Sequence, residues 1–581
     1  MKPRSLLSRV LVPVAAVVLL CAATAGSQSG TNPPRKPRLV ITADPELDDV
    51  NTLIRAMLYT TDFKVEGLIY DSSQFHWRGD GKGSTQYIAG REYARYGRGP
   101  VTSWRWPDNE NFIDEIVDAY AKVYPNLRVH NRGYPAPAEL KGKIRWGNVE
   151  FEGDYSKDSD GSNLIKSLLL DDQPGPLFVS AQGGQSTISR ALKSIYDQYG
   201  KTPQWAAIQS KVSRKLIVIP FGDQDGTNGR YIRPNWPGVE TWMLAMINFG
   251  YGARSAHTPE NQRYFSATWT QENVSSRGPL GALYRVWGDG KRMSKNDVTD
   301  HYGLTGFTSE QLRGMGYNPV IAPGEKGSFI SEGDTPTFLN LLDNGLRGYQ
   351  DGSWGGWGGR RRSDAAGGGR GAGPAGTDVR GPGTPVGPDD PGIGLGIAPA
   401  GSTANAPEPA PAGGATSGRG EGRGPGSIGQ GPGRGGGGGR GGQPIPPRTA
   451  LVNARFFAAA QQDFAARMKW SVTPRFSDAN HEPKVAIKGP FDISARPGAT
   501  VRLEGRISDP DRDPLTVSWW QYHDAGTYPG DITFRNANAA ATTFQIPNDA
   551  QPGQTVHVIL EVTDGGTPAL THYQRVVITV R

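Results

Sequence analysis

Three aspartates stand close together near the start of the chain, at Asp44, Asp48 and Asp49. The β-branched run from Val40 to Thr42 predicts a strand before them, and apolar residues spaced three and four apart predict a helix after them. Open α/β sheets build their sites at such strand ends. One acid there serves as a helix cap or a dipole partner. Three repel one another unless a cation neutralises them, so we expect a hard divalent metal with oxygen ligands.

The stretch from Thr42 to Asp49, TADPELDD, resembles the metal-binding opening of the inosine-uridine nucleoside hydrolases, D-x-D-P-G-x-D-D. It keeps three of the four aspartates and the proline, whereas Thr42 replaces the first aspartate and Glu46 replaces the glycine. These departures make the chain more similar to a secreted branch of the Sde182 or DUF1593 type, whose members are labelled cellulose-binding. The resemblance covers most of the chain. It implies a nucleoside-hydrolase-like, mostly parallel sheet with helices on both faces.

The resemblance also implies a calcium site and the residues around it. Its metal ligands would be Asp44, Asp49, Ser186 and Asp334, with Asp44 taking the proton of an attacking water and Asp48 orienting sugar hydroxyls. Ser186 follows a strand and a glycine turn at the start of a predicted helix, where a helix cap is an equally good local interpretation. Asp334 follows a polar strand end and precedes a helix that has proline at an early position.

The family often has a histidine that protonates the leaving group as a general acid. In this chain Gly333 stands at that position, so the usual general acid is missing. His76, in the polar loop after the second predicted strand, is our candidate for that role, since histidine titrates near neutrality. A lone loop histidine is more often a surface residue. Gln74, in the same loop, is expected to hydrogen-bond a sugar.

Further substrate contacts are expected from the segment that contains Arg233, Asn235 and Trp236. The resemblance places Asn235 where the family uses an asparagine against sugar hydroxyls. Arg233 stands where the family has a glutamate, and this reversal of charge indicates an altered ligand. Loop tryptophans either stack on sugars or are partly buried, and we weigh the two interpretations evenly. These tryptophans are Trp77, Trp104, Trp106, Trp236, Trp354 and Trp357.

Alternating strands and helices position these residues, which predicts a parallel sheet covered on both faces. The predicted strands are Arg38–Thr42, Lys64–Tyr70, Pro176–Ala181 and Lys215–Pro220. The predicted helices are Asp48–Tyr59, Ser84–Tyr96, Asn111–Tyr124, Gln185–Gly200, Glu240–Asn248 and Thr335–Leu346.

The two ends of the chain differ in character from this α/β part. A basic start, an apolar run and the A-x-A motif ending at Ala25 predict a signal peptide over residues 1–25, hence a secreted or periplasmic protein. The expected domains are an α/β domain at 36–353, a disordered Gly/Arg/Pro-rich insert at 354–447, a closing helix at 448–483 and an Ig-like β-sandwich at 484–581. In the sandwich, Asp509, Asp511 and Asp513 fit a calcium loop or, as we favour, a solvated turn.

Composition limits the partners. Of the formal charge of +7, much lies in the signal peptide and the Gly/Arg tract, so we expect no nucleic-acid partner. After Leu20 no apolar run is long enough for a membrane helix, so no membrane association is expected once the signal is removed. The one cysteine, Cys21, lies in the signal peptide, and the bulky residue before it disfavours lipidation.

These observations together predict a secreted, calcium-dependent hydrolase that acts on a glycosidic or N-glycosidic bond of a carbohydrate or nucleoside-like substrate. The alternative is a non-catalytic carbohydrate-binding protein with a degenerate active site. Phosphoryl transfer through an aspartate nucleophile is disfavoured, because the later lysine and second aspartate motifs are missing. The sequence specifies no oligomeric state.

Overall fold

The computed structural model describes residues 36–244, 246–294, 297–319, 321–361 and 447–581, with only the backbone at 247 and 447–454. The expected signal peptide and most of the expected insert lie outside the described residues. Within the described residues, no helix has both the length and the apolar character that crossing a bilayer requires.

A parallel sheet of six strands lies at the centre of the α/β part, in the order β3-β2-β1-β4-β5-β6. The strands are β1 Arg38–Ala43, β2 Lys64–Tyr70, β3 Ile144–Trp146, β4 Leu177–Ala181, β5 Leu216–Pro220 and β6 Glu240–Thr241. The predictions for β1, β2, β4 and β5 agree with these bounds to within one residue at each end. The two outer strands, β3 and β6, are too short to give a period-2 pattern.

Helices cover both faces of the sheet, which confirms the predicted fold class. They are α1 Leu47–Leu58, α2 Glu92–Arg95, α3 Phe112–His130, α4 Pro137–Lys141, α5 Asp160–Leu170, α6 Ser186–Tyr199, α7 Trp205–Lys215, α8 Arg233–Asn235, α9 Ala253–Ala256, α10 Ala267–Thr270, α11 Gly278–Leu283, α12 Ser309–Gly314, α13 Pro336–Leu339 and α14 Pro447–Val472. Strand β1 shows why both faces are needed. Leu39 and Ile41 lie in the core under α1 and α3, whereas Val40 lies in the core under α5, α6 and α7.

Three predicted helices are wrong over much of their length. The helix expected at Ser84–Tyr96 is limited to α2, because Gln86 pairs with Val101 as an isolated bridge. The segment expected as Glu240–Asn248 begins with β6 and contains a short 3₁₀ turn at Met246–Asn248. The helix expected from Thr335 stops early, because the Asn340 side chain bonds the backbone of Gly358 and Gly359.

Helix α14 packs on α1 and α3 and joins their core through Phe456, Phe457 and Phe464. It also meets Arg55 of α1, which donates to the carbonyl of Ala460 at 3.2 Å. The same guanidinium forms a fully buried ion pair with Glu332, whose Nε–Oε2 distance is 2.5 Å. This pair fixes the segment immediately before Asp334.

The C-terminal part is a β-sandwich of a four-stranded and a three-stranded sheet, in the orders β10-β12-β13-β8 and β11-β9-β7. Its strands are β7 Lys484–Ile487, β8 Asp492–Ala495, β9 Thr500–Ser508, β10 Leu515–Gln521, β11 Ala541–Gln545, β12 Thr555–Asp564 and β13 Thr571–Val580. Trp519 is buried in the core between the sheets. Trp520 points the other way and is covered by Arg455, whose Cζ lies 3.5 Å from the ring centroid.

Candidate metal centre

Strand β1 ends at Ala43, and the three predicted aspartates follow in the turn and the first turn of α1. The amide of Asp44 donates to Oδ1 of Asp49 at 3.0 Å. The amide of Glu46 donates to Oδ1 of Asp44 at 3.2 Å. These hydrogen bonds stabilise the turn and fix the positions of the carboxylates. The turn lies at the carboxyl end of the sheet, where α/β folds of this type place their sites.

Glu46 belongs to the same group, which the sequence revealed only as a departure from the family pattern. Carboxylate oxygens of Glu46, Asp48 and Asp49 lie within 4.8 Å of one another, and all three residues are buried. The Tyr251 hydroxyl donates to Oδ1 of Asp48 at 3.3 Å and to Oε1 of Glu46 at 3.4 Å. The Ser331 hydroxyl donates to Oδ2 of Asp48 at 3.1 Å. No local pattern singles out these two hydroxyls, which come from distant segments.

Asp334 reaches this group from nearly 300 residues further along the chain. Burial and then the charges of Asp334 and Asp44 raise the pKa of Asp49 well above its usual value. Burial and the charges of Asp48, Glu46 and Asp44 likewise raise the pKa of Asp334. Burial and neighbouring carboxylates are the causes of raised pKa values expected for acids that share one poorly solvated site.

The donor set fits a hard divalent cation. Oδ2 of Asp44 and Oδ1 of Asp334 are buried and accept no hydrogen bond from any residue that the structure describes. Buried charges are normally paired or coordinate a metal. Carboxylate oxygens are the ligands that Ca²⁺ and Mg²⁺ prefer. The cluster therefore has the donor set that a metal ion requires.

His76 lies against the cluster and is 1 % exposed. Its Nδ1 is 3.3 Å from Oδ1 of Asp44 and 4.0 Å from Oε2 of Glu46. Burial lowers the pKa of His76, but the charges of Asp44 and Glu46 outweigh that effect and raise the pKa above its usual value. Gln74 is buried beside it, and its Oε1 accepts a hydrogen bond from Arg91 at 3.1 Å. The structure thus places His76 with the acids, not on the surface.

Ser186 is the first residue of α6. Its amide and that of Gln185 both donate to Oδ2 of Asp225 at 2.8 Å, so Asp225 provides the cap of this helix. The loop before the helix contacts the cluster through Gly183, where an added Cβ would lie 3.1 Å from Oδ2 of Asp44. This close approach explains why a residue without a side chain stands at that position.

Arg233, Asn235 and Trp236 lie elsewhere, on and just after α8. Trp236 is 1 % exposed in the core under α5, α6 and α7, with its ring edge-on to Trp205 at 5.2 Å. Asn235 donates to the carbonyl of Tyr231 at 2.9 Å, and Arg233 is exposed. The structure therefore places the Trp236 ring in the core, where it offers no face to a ligand.

Most of the loop tryptophans are also core residues. Trp77 and Trp104 pair with each other as an isolated bridge and are 0 % and 4 % exposed. Trp357 is 4 % exposed and belongs to the core under α1. For these positions ordinary burial, the second of our two interpretations, is the one that the structure supports.

A second acidic cluster lies in the turn of the β-sandwich after β9. Carboxylate oxygens of Asp509, Asp511 and Asp513 lie within 4.8 Å of one another, and all three residues are partly exposed. Oδ1 of Asp509 accepts from the amides of Asp511 and Asp513 at 2.8 and 2.9 Å. Oδ2 of Asp511 accepts from the amide of His481 at 2.8 Å. The turn and His481 thus satisfy Oδ1 of Asp509 and Asp511, whereas Oδ2 of Asp509 has no partner among the described residues.

The parallel sheet and the acidic group at the end of β1 define a nucleoside hydrolase-like α/β protein. The chain belongs to the Sde182 family. A model described as the nucleoside hydrolase-like domain of cellulose-binding Sde182 matches residues 38–361, and one described as the C-terminal domain of cellulose-binding protein Sde0182 matches residues 500–580. The resemblance inferred from the sequence is confirmed.

A solved structure supports the same assignment. It is a nucleoside hydrolase-related hypothetical protein from Saccharophagus degradans that is associated with carbohydrate metabolism. The two chains are 25% identical with a TM-score of 0.59, over 94% of this chain and 100% of that one. Three N-terminal domains of the Hoc protein of bacteriophage RB49 match 17% of this chain and 30% of that one, at 14% identity and a TM-score of 0.13. No curated protein matches the chain.

Proposed function

We propose that this protein is an exported hydrolase that cleaves a glycosidic or N-glycosidic bond and depends on calcium. The observation that carries the proposal is the buried acidic cluster at the carboxyl end of β1, with the two unpaired oxygens of Asp44 and Asp334. Asp49 and Ser186 would complete the calcium ligands, as the family resemblance implies. A bound calcium would lower the pKa of a water molecule and hold sugar hydroxyls.

The side chains around the cluster have complementary roles in this proposal. Asp44 takes the proton of the attacking water, as a general base does. Asp48, held by Tyr251 and Ser331, orients sugar hydroxyls near a carbon that becomes oxocarbenium-like. His76 is the acid for the leaving group, because its Nε2 has no hydrogen-bond partner among the described residues.

Access to the site requires movement. Asp44, Asp48, Asp49 and Asp334 are each at most 2 % exposed. Tyr251 is bonded to two of the acids and stacks on Tyr302 with ring centroids 5.5 Å apart. A substrate therefore enters only when the side chains that cover the cluster shift.

The test uses the full chain, stripped with EDTA and then supplied with Ca²⁺, against a panel of nucleosides and plant oligosaccharides. Hydrolysis should require Ca²⁺ and fall by about 10²–10⁴-fold in Asp44→Asn, the usual scale for a lost general base. Asp172→Asn, a change at a fully exposed aspartate, is the matched control. Hydrolysis that survives both EDTA and Asp44→Asn would refute the mechanism.

A second candidate is a carbohydrate-binding protein without catalysis. Two observations favour it, namely the glycine at position 333 where the family often has its histidine, and the burial of the acids. Cellulose pull-down distinguishes the two functions. Binding that is retained in Asp44→Asn, with no sugar released by the unaltered chain under any condition, selects this second function.

A further inference from the structure

A cavity of about 230 Å³ lies at the end of β3, beside Trp146. Its walls include Arg78, Glu150, Asp154 and Lys157. The volume is below the roughly 300–1,000 Å³ of typical small-molecule pockets, so it suits one ring of a larger ligand. We propose that this cavity binds a pyranose ring of a polysaccharide chain, stacked on Trp146. The inference rests on the proposed function, because it specifies the substrate class of that site.

Trp146 differs from every other tryptophan of the chain. All fourteen lie among the described residues, and Trp146 is the most exposed, at 36%. Tyr70 stacks on its ring with centroids 4.2 Å apart and planes 11° apart. That stack fixes the indole before any ligand arrives, so binding on it costs little further side-chain entropy. A flat, immobilised aromatic face matches the C–H face of a pyranose.

The groups around the ring offer both hydrogen-bond donors and acceptors. The exposed Arg78 guanidinium lies over the Trp146 ring, 5.2 Å from its centroid, so a sugar that stacks there displaces this flexible side chain, whose N–H groups then donate to sugar hydroxyls. Glu150 and Lys157 form an ion pair across the cavity wall, with an oxygen–nitrogen distance of 2.5 Å. Asp154 adds a largely buried carboxylate. Sugar hydroxyls both donate and accept, so this mixed lining suits a neutral sugar better than a polyanion.

The cavity is on the same edge of the sheet as the metal centre. Ala43, Tyr70 and Trp146 lie side by side in register at the ends of β1, β2 and β3. Neighbouring strands are about 4.8 Å apart, which puts the backbone of Trp146 roughly 10 Å from the end of β1. Asp44 is the next residue there. A polysaccharide can therefore place one ring on Trp146 while a neighbouring part of the chain approaches Asp44.

The experiment measures binding of cellohexaose to the full chain by calorimetry, with EDTA present so that hydrolysis does not interfere. Trp146→Ala should weaken binding by about tenfold or more, the scale of a buried aromatic anchor. Trp146→Phe retains an aromatic face and should recover most of the affinity. Phe307→Ala removes a similarly exposed aromatic side chain, at 39% exposure, and should leave binding unchanged.

Each outcome separates the sugar site from the proposed hydrolysis. If Trp146→Ala binds cellohexaose as the unaltered chain does, the sugar site is wrong, whatever EDTA and Asp44→Asn do to hydrolysis. Loss of binding in Trp146→Ala supports the sugar site even when no hydrolysis is ever detected. If the variant loses affinity for a nucleoside and keeps it for cellohexaose, the stacked ring is a base and the proposal is overturned. Circular dichroism confirms that Trp146→Ala is folded.

Discussion

Two acidic clusters among the described residues show how differently aspartates behave in two environments. In the β-sandwich, Asp509 and Asp511 are partly exposed and accept hydrogen bonds from backbone amides. At the end of β1, Asp44 and Asp334 are buried and each keeps one oxygen without a donor among the described residues. Both clusters bring carboxylates within a few ångströms. Oδ2 of Asp509 also lacks a donor among the described residues, so what distinguishes the cluster at the end of β1 is that its acids are buried as whole residues and leave two oxygens unpaired.

Glu332 extends the comparison, because this buried carboxylate is neutralised by the guanidinium of Arg55. Removing Arg55 in Arg55→Met leaves that carboxylate uncompensated, which should lower the free energy of unfolding by about 3–5 kcal/mol. Urea denaturation measures the loss. The double variant Arg55→Met, Glu332→Leu should recover much of it, and a single variant that costs under about 1 kcal/mol contradicts this view of the pair.

Calcium should distinguish the two clusters directly. With Ca²⁺ at about 100 times its Kd, the unfolding free energy of the unaltered chain should rise by about 2.7 kcal/mol over the EDTA-treated state. Asp334→Asn changes a proposed ligand and should abolish that rise, whereas Asp511→Asn should keep it. Thermal denaturation with and without Ca²⁺ gives the measurement. An equal loss in both variants would show that the clusters do not differ as described.

In the β-sandwich we expect a histidine, not the acids, to dominate the pH dependence. Burial, then the charges of Arg575, Arg347 and Arg360, lower the pKa of His557 to about 3. The unfolded histidine titrates near 6.5, so the folded state binds fewer protons between pH 6.5 and 3. The contribution of the neutral His557 to folding stability is therefore fully present above pH 6.5 and is lost as the pH falls.

Between pH 6.5 and 5 this histidine should account for a loss of about 1.5 kcal/mol. Urea unfolding at the two pH values measures this loss of unfolding free energy. In His557→Gln the loss should be smaller than in the unaltered chain by that amount. His523→Gln, at an exposed histidine of the same domain, serves as control. Identical pH profiles for His557→Gln and the unaltered chain would contradict the assignment.

The smallest effect is expected in the exposed turn itself. Asp509→Ala removes the acceptor of two backbone amides and should cost about 1 kcal/mol, the net value of an ordinary hydrogen bond. Neither the calcium response nor hydrolysis should change. A calcium-dependent loss of stability in this variant would show that the turn binds the ion after all.

Local patterns were sufficient to predict a large part of the fold. The apolar runs of β1, β2, β4 and β5 and the spacing within α1 are properties of consecutive residues, and Asp44, Asp48 and Asp49 occupy the predicted turn. The family resemblance supplied Asp334, which no local pattern connects to β1.

The rest depends on tertiary contacts that leave no local signature. Tyr251 and Ser331 meet Asp48 from segments more than 200 residues away. The loop tryptophans could be sorted into core and surface only once their neighbours were known. Trp77 is enclosed by aromatic residues. Trp146 is the last residue of β3, a strand too short to be recognised from the sequence.

Helix α14 has a practical consequence for anyone who isolates the α/β part. The match to the first family domain ends at residue 361, yet the aromatic side chains of α14 fill the groove between α1 and α3. A fragment that stops at 361 would expose that groove to water and deprive Arg55 of its acceptors at Ala460 and Gln461. Recombinant work should therefore retain residues up to the end of this helix, or it will assay an aggregate.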